Sequence, residues 1–438
     1  MASRARGRTP PGGSQGRSAL SRRRAYALIA AACALPRLVV LFVERDDVTA
    51  AFVDKGDDFA LTFVDSGTYG FIPDIPSAYT QPLYGFFLVP LYWIFERHWL
   101  VIGLAHAVVA VATAWLVYEV GRRVADARVG VVAALLTTLH PYVVWHDMHM
   151  NRELLDELLA VAAVLLTLVV AERGGLRWAA LLGLVLGLMV LGNVRTLLLP
   201  FVVGAYVLWR RRRWTWEPAV AVAAAVLVLV PWVVRNERNV GCAAITTDAR
   251  ALWKANNEQT LETLRRGGWI DDVPSIPGAP PTPQETAALY RATGRIVRTD
   301  ECAQMRYYRR LALDFVRDHP GEKAKLASYG VKLLWQPTVP QTEGRPERDT
   351  VIDDARTFLE PLFVVPLFLL ALTGLALVPR HFAVLALSLL AYQTVVAMLF
   401  VGQTRYRVPW DFLLAVPAAA ALIALSERFA TRRRTSAP

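Results

Sequence analysis

The chain has 438 residues, 55% of them hydrophobic, with a mean hydropathy of +0.34 and a formal net charge of +11. That apolar content excludes an ordinary soluble enzyme and describes a polytopic membrane protein. The basic excess does not point to nucleic acid, because arginines gather at 22–24, 122–123, 210–213 and 432–434, beside the ends of apolar runs. There they read as cytoplasmic anchors to anionic membrane lipid.

Taken in chain order, residues 1–22 are rich in Arg, Gly, Pro and Ser and read as a disordered cytoplasmic tail rather than a cleavable signal peptide. A span needs about 20 apolar residues, and about ten stretches qualify as candidates. They lie near 24–43, 99–119, 129–146, 153–171, 177–193, 195–209, 217–234, 357–378, 381–401 and 408–425. The run 81–96 starts at Pro82 and is interrupted by Pro90, so it is expected as a juxtamembrane, interfacial or re-entrant helix. With the N-terminus in the cytoplasm, each cytoplasmic connection is basic and the C-terminus is cytoplasmic too. The expected organisation is a transmembrane catalytic module over 23–234, with an acidic outer loop at 44–80 and the juxtamembrane helix. An extracytoplasmic segment follows over 235–356, then C-terminal transmembrane helices over 357–426 and a basic cytoplasmic tail over 427–438. The fold class is therefore all-α and polytopic, with one mixed extracytoplasmic segment.

The first loop is acidic on an otherwise basic chain: Glu44, Asp46, Asp47, Asp54, Asp57, Asp58 and Asp65 face only Arg45 and Lys55. Carboxylates held at a membrane surface are candidates for a general base or a cation site, and for a single member the blander reading is a solvated loop. A second acidic region, 140–161, carries Asp147, Glu153, Asp156 and Glu157 at the outer end of a span. Helix-dipole stabilisation explains Glu153 comfortably; Glu157, one turn further in, is more expensive. His146 and His149 flank Asp147, a spacing that leaves a metal site open. Arg195, Arg235, Arg405 and Arg407 fall on the outer side, against the positive-inside bias. Guanidinium groups there suit a bidentate grip on phosphate; pairing with acidic loops or snorkelling to headgroups is the alternative. Cys242 and Cys302 share the outer segment, where a disulfide between them is open. Nucleotides are cytoplasmic, so an enzyme working outside takes its activated group from lipid.

The segments 56–71 (GDDFALTFVDSGTYGF), 81–95 (QPLYGFFLVPLYWIF), 140–159 (HPYVVWHDMHMNRELLDELL), 187–200 (GLMVLGNVRTLLLP), 231–236 (PWVVRN) and 405–415 (RYRVPWDFLLA) resemble, in order and placement, the GT-C superfamily of membrane glycosyltransferases. The chain looks like bacterial relatives of protein O-mannosyltransferases and aminoarabinose transferases over about 40–425. Arg152 stands where many members have Thr, and Glu153 matches the Glu that follows it. The resemblance implies inverting transfer of a sugar from a polyprenyl-phosphate donor to an envelope glycan, lipid or protein, with membrane lipids as surroundings and no nucleic acid. It implies Asp57 or Asp58 as general base, with Glu153 orienting the base or holding a sugar hydroxyl. Arg195, Arg235, Arg405 and Arg407 would hold the lipid phosphate; Tyr84, His146, Asp147 and Tyr406 would contact acceptor or sugar. No cofactor is required by these residues, and a divalent metal stays open. The alternative from another class is a transporter or flippase, against which the chain shows no inverted repeat.

Overall fold

The structure, a computed structural model, describes residues 21–338 and 351–435. The tail expected over 1–22 thus lies outside the described residues up to residue 20, as do 339–350 of the outer segment and 436–438 of the basic tail. Helix α1 (Arg22–Val43) starts where the Ser21 hydroxyl accepts from the Arg24 amide. Helix α2 (Gly56–Ser66) stops at Gly67, whose φ of +72° suits a residue without a side chain. Helix α3 (Pro82–Phe95) opens on a proline, which sacrifices no helical hydrogen bond at that position. Helix α4 (Trp99–Val124) is followed by α5 (Ala127–Thr138), capped by Asp126 through the amides of Arg128 and Val129. Then come α6 (Pro141–His146), α7 (Glu153–Arg173), α8 (Leu176–Gly192), α9 (Leu199–Arg211) and α10 (Glu217–Val240).

Seven described helices are long and apolar enough to cross a membrane: α1, α4, α7, α10, then α16 (Val351–Gly374) from Asp354 onward, α17 (Arg380–Leu399) and α19 (Phe412–Thr435). Helices α3, α5 and α8 are apolar but shorter, and α9 has 13 residues. The expected span at 129–146 is thus a broken pair, α5 and α6, interrupted before Pro141. Exposed Leu35, Val39, Leu227, Leu369 and Leu372 give α1, α10 and α16 the apolar outer faces of helices that contact lipid.

Helix α7 is central. Its apolar stretch is 72% buried against 17% for α10, and Val161, Val164 and Leu168 pack in the main core with Val117 of α4, Leu186 of α8 and Val416 of α19. Helices α8 and α10 touch backbone to side: a Cβ on Gly183 would overlap the Ala221 carbonyl, the close approach that small residues allow between membrane helices.

Between α10 and α16 lie α11 (Ala249–Lys254), α12 (Thr260–Arg265), α13 (Pro283–Thr293), α14 (Glu301–Asp318) and α15 (Pro320–Trp335). This segment, expected to be mixed, has no strand among its described residues. The reason is local: Pro274, Pro277, Pro280, Pro281 and Pro283 withhold the amide donors a strand ladder needs, while α14 continues on helical spacing. Cys242 and Cys302 are bonded, with 5.9 Å between their Cα atoms, and tie the end of α10 to the start of α14.

Candidate active site

At the N-terminal end of α7 and the C-terminal end of α8 the chain encloses a cavity of about 420 Å³, within the range of small-molecule sites. Its walls come from the acidic loop, α6 and the turn before α7, the turn after α8, residues 246–255 and 269–271 of the segment after α10, Arg356 of α16, and the loop before α19.

The turn before α7 is fixed by Asn151. Its side-chain amide donates to the carbonyls of His146 and His149, at 2.5 and 2.9 Å, while its Oδ1 accepts from the Leu154 amide. That locks Arg152 and Glu153 at the cavity wall. The Met150 carbonyl accepts from the Asp54 amide at 2.9 Å, which ties the acidic loop to the same turn. Asp54 therefore stands in the cavity with Arg152 and Glu153. Its Oδ1 accepts from the Gly56 amide at 2.8 Å, at the entrance to α2. Burial pushes the Asp54 carboxyl above its ordinary range, against the pull of the Arg152 guanidinium and the Gly56 amide. Lys55 lines the cavity beside it and reaches Asp248 Oδ2 at 3.3 Å.

Opposite these residues stands an arginine–tyrosine stack. The Arg195 guanidinium lies 3.6 Å from the Tyr406 ring centroid, and Arg405 lies 5.0 Å from the same ring. Arg405 also donates to the Tyr406 hydroxyl at 2.9 Å and approaches the Trp269 ring at 5.6 Å. Asn193 positions Arg195: its Oδ1 accepts from the Arg195 amide, and its Nδ2 donates to Asp156 at 2.8 Å. Arg152 is held by Gln81 Oε1 at 2.7 Å. Arg356, over the Trp145 ring at 4.4 Å and paired with Glu360 at 2.6 Å, completes the cationic rim. A guanidinium stacked on an aromatic face, as Arg195 is on Tyr406, can still present its edge to an anion.

Of the residues singled out in the sequence, Glu153, Arg195, Arg405, His146 and Tyr406 line this cavity. His146 Nε2 lies 3.7 Å from Glu153 Oε2, beyond hydrogen-bond length, and neither of its ring nitrogens has a hydrogen-bond partner among the described residues.

The others do not line it. Asp57 is turned away: it accepts from the Tyr92 hydroxyl at 2.5 Å and from the Arg97 guanidinium at 2.8–3.1 Å, pinning α2 to α3. Asp58, one residue on and thus on another face of α2, is half-buried and pairs with Arg291 at 3.1 Å. Tyr84 is buried against His106, at 3.2 Å. Asp147 is buried in an ion pair with Arg37 at 2.7 Å. Arg235 spends its guanidinium on the carbonyls of Ser77 and Tyr69, at 2.8 and 2.7 Å. Arg407 is fully buried between Asp411 and the carbonyls of Leu334 and Gln336.

His146, Asp147 and His149 face Glu153, Arg37 and Glu44 respectively, so the spacing that left a metal site open does not converge on one point. Among the described residues no three His, Cys, Asp or Glu side chains form a group that could hold a metal ion.

Asp54, Arg152, Asn193 and Lys55 are the cavity residues the sequence left in the background. Asp54 precedes a Gly that opens a helix, and Arg152 fills a position where the resemblance expects Thr. Those are the signals that could have drawn attention to them.

Fold and site together define an all-helical, multi-pass membrane protein. Residues 77–234 match the family model described as dolichyl-phosphate-mannose-protein mannosyltransferase. The matched segment holds Arg152, Glu153, Asn193 and Arg195; Asp54 and Arg405 lie outside it.

Among solved structures, the chain is similar to the oligosaccharyltransferase AglB of Archaeoglobus fulgidus in complex with an inhibitory peptide and a dolichol-phosphate. The two share 14% identity and a TM-score of 0.53, over 95% of this chain and 52% of AglB. The same archaeal enzyme tethered to an acceptor peptide gives 13% identity and a TM-score of 0.52, over 95% of this chain and 51% of that one. ArnT of Cupriavidus metallidurans bound to undecaprenyl phosphate gives 16% identity and a TM-score of 0.44, over 90% of this chain and 77% of ArnT. The chain thus spans about half the length of the archaeal enzyme, and the likeness is one of fold. A search of curated protein sequences finds no match.

Proposed function

We propose that this protein transfers a sugar, with inversion, from a polyprenyl-phosphate donor to a hydroxyl of an extracytoplasmic acceptor, with Asp54 as the general base. One observation carries the reading: Asp54 and Glu153 share a single cavity with Arg152, Arg195 and Arg405. An acceptor hydroxyl attacks the anomeric carbon of the donor while its proton passes to the Asp54 carboxylate. The bond from that carbon to the phosphate oxygen breaks, and polyprenyl phosphate leaves as an anion. A base with a raised pKa within hydrogen-bond reach of the hydroxyl suits the first event. Preorganised guanidinium groups suit the charge that develops on the phosphate in the second. Glu153, beside His146, holds a sugar hydroxyl or orients the bound donor.

The reading also sets a topology: N- and C-termini in the cytoplasm, cavity outside. The basic clusters favour it, and a disulfide between Cys242 and Cys302 suits an oxidising compartment. The testing experiment is sugar transfer from a synthetic polyprenyl-phosphate donor to envelope glycan in membranes. Asp54→Asn is expected to lose activity by about 10²-fold or more, with unchanged insertion and melting. Full activity in that variant overturns the base assignment.

A further inference from the structure

Helix α15 runs beside the stretch that leads from the end of α17 to Arg405 and Tyr406, and four contacts mark the register. The Lys323 ammonium donates to the Leu399 carbonyl at 3.0 Å. Leu326 packs in one apolar cluster with Val401, Ala255 and Ile270. Gly402 lies against the Gly330 carbonyl, with no room for a Cβ. The Thr404 hydroxyl stands 3.3 Å from the Leu333 carbonyl. Positions 323, 326 and 330 recur at helical spacing, so one face of α15 makes the first three contacts.

Lys323 is the charged member of that face, and it is half-buried. It occupies the fourth position of α15, near the positive end of that helix, where a cation is locally disfavoured. It stands instead at the negative end of α17, whose last residue is Leu399 and whose last turn holds no basic residue of its own. The last carbonyls of a helix lack partners within it. Here two side chains from other elements supply them: Lys323, and Asn256, whose Nδ2 lies 3.2 Å from the same Leu399 oxygen. The two are joined to each other, because the Lys323 ammonium also donates to Asn256 Oδ1 at 2.5 Å. Asn256 is itself fixed in the turn after α11, where its amide donates to the Trp253 carbonyl at 2.8 Å and its Nδ2 lies 2.9 Å from the Leu252 carbonyl.

Lys323, Asn256 and Leu399 are not among the described residues that line the cavity; they stand behind two of its walls. Leu252 and Ala255, just before Asn256, belong to one wall. Phe400 and Val401, just after Leu399, belong to the other and lead on to Arg405 and Tyr406. The Arg195 guanidinium lies 5.7 Å from the Phe400 ring as well as 3.6 Å from the Tyr406 ring. A shift at Leu399 thus moves the rings against which Arg195 rests.

We propose that Lys323 is a positioning residue for the cationic wall of the cavity: its ammonium closes the end of α17 against the turn after α11 and so holds Phe400, Arg405 and Tyr406 where a lipid phosphate meets them. The ligand rests on the glycosyltransferase reading above; the clamp does not.

Hydrogen exchange read by mass spectrometry, on full-length protein in detergent, reports the clamp, and titration with undecaprenyl phosphate reports its consequence. Lys323→Met keeps the aliphatic stem and removes the charge. It is expected to speed exchange at 399–406 and to weaken undecaprenyl phosphate binding, each by about tenfold. Exchange in the remainder of the outer segment should stay as in wild type. Lys323→Arg keeps the charge and the donors and should recover most of both losses. Asn256→Ala, the second variant, should speed exchange at the same residues with Lys323 intact. Lys325→Met, on the same helix but exposed and paired with Glu322 at 2.8 Å, should behave as wild type. Exchange at 399–406 unchanged in both Lys323→Met and Asn256→Ala, a rise spread evenly over the outer segment, or no recovery in Lys323→Arg overturns the proposal. So does faster exchange at 399–406 with undiminished binding. If the local rise and its recovery appear but wild type does not bind undecaprenyl phosphate, the clamp stands and the donor site assigned to the cavity falls.

Discussion

Asp54 and Asp57 are three residues apart, yet they meet opposite environments. Asp54 precedes α2, on the turn tied to Met150, and faces guanidinium groups across open space. Asp57 is inside α2 and is saturated by Tyr92 and Arg97. The two should separate cleanly on mutation. Asp57→Ala leaves Arg97 facing a gap and is expected to lower stability by about 3 kcal/mol. That is the low end for losing one member of a buried pair, because Arg97 keeps some solvent access. Thermal melting in detergent checks this, with any activity loss following the loss of fold. For Asp54 the expected readout is pH. Its folded pKa lies above the ordinary carboxylate value because of burial, and only the deprotonated form accepts a proton. Transfer should therefore fall as pH drops through a midpoint above the usual value of about 3.9. A pH–rate profile of kcat/KM that stays flat down to pH 4 contradicts the assignment. The arginines divide in the same way: Arg195→Ala should cost about 10²-fold in transfer. In Arg407→Ala the dominant effect should be on melting, since Asp411 is left buried and unpaired.

At the scale of elements, apolar runs make α1, α4, α7 and α17 legible and Pro82 marks the start of α3, whereas the single span expected at 129–146 misses the break before Pro141 that separates α5 from α6. The site was only half legible, for a physical reason. Glu153 and Arg195 sit at helix ends, where the break in hydrophobic pattern marks them. Asp54 sits in an irregular loop among six other acids, where no period distinguishes one carboxylate from the next. Arg405 and Arg407 are two apart on α18 (Thr404–Arg407), so they face different sides; sequence shows the pair, and only packing shows which faces the cavity. That loop is placed by a backbone contact, because a Cβ on Gly402 would overlap the Gly330 carbonyl of α15. Gly402→Val must push the loop away from α15 and with it Arg405 and Tyr406. The expected result is a donor affinity lowered by about tenfold or more, since displacing a positioning group by about 1 Å is costly. Titration with polyprenyl phosphate measures it, and an unchanged affinity would show that α18 is held by other contacts.

On the scale of the whole molecule, orientation in the membrane decides which lipid-linked donors can reach the cavity, and the cysteine content makes orientation easy to measure. The chain has three cysteines. Cys33 is buried, and Cys242 and Cys302 are bonded to each other. No native thiol thus competes for a membrane-impermeant maleimide. Arg266 follows α12, in the segment expected outside, and Trp214 lies in the basic turn between α9 and α10; both are well exposed. Intact cells expressing Arg266→Cys should label without permeabilisation, and cells expressing Trp214→Cys only after it. The reverse pattern would put the cavity, Asp54 and the disulfide in the cytoplasm, and polyprenyl-phosphate chemistry on the outer face would have to be abandoned. The disulfide gives an independent check on the same assignment. It closes a loop of 60 residues in sequence, for which chain entropy alone predicts roughly 4 kcal/mol. Cys302→Ser in the presence of a Cys242→Ser partner should therefore lower the melting temperature of the protein.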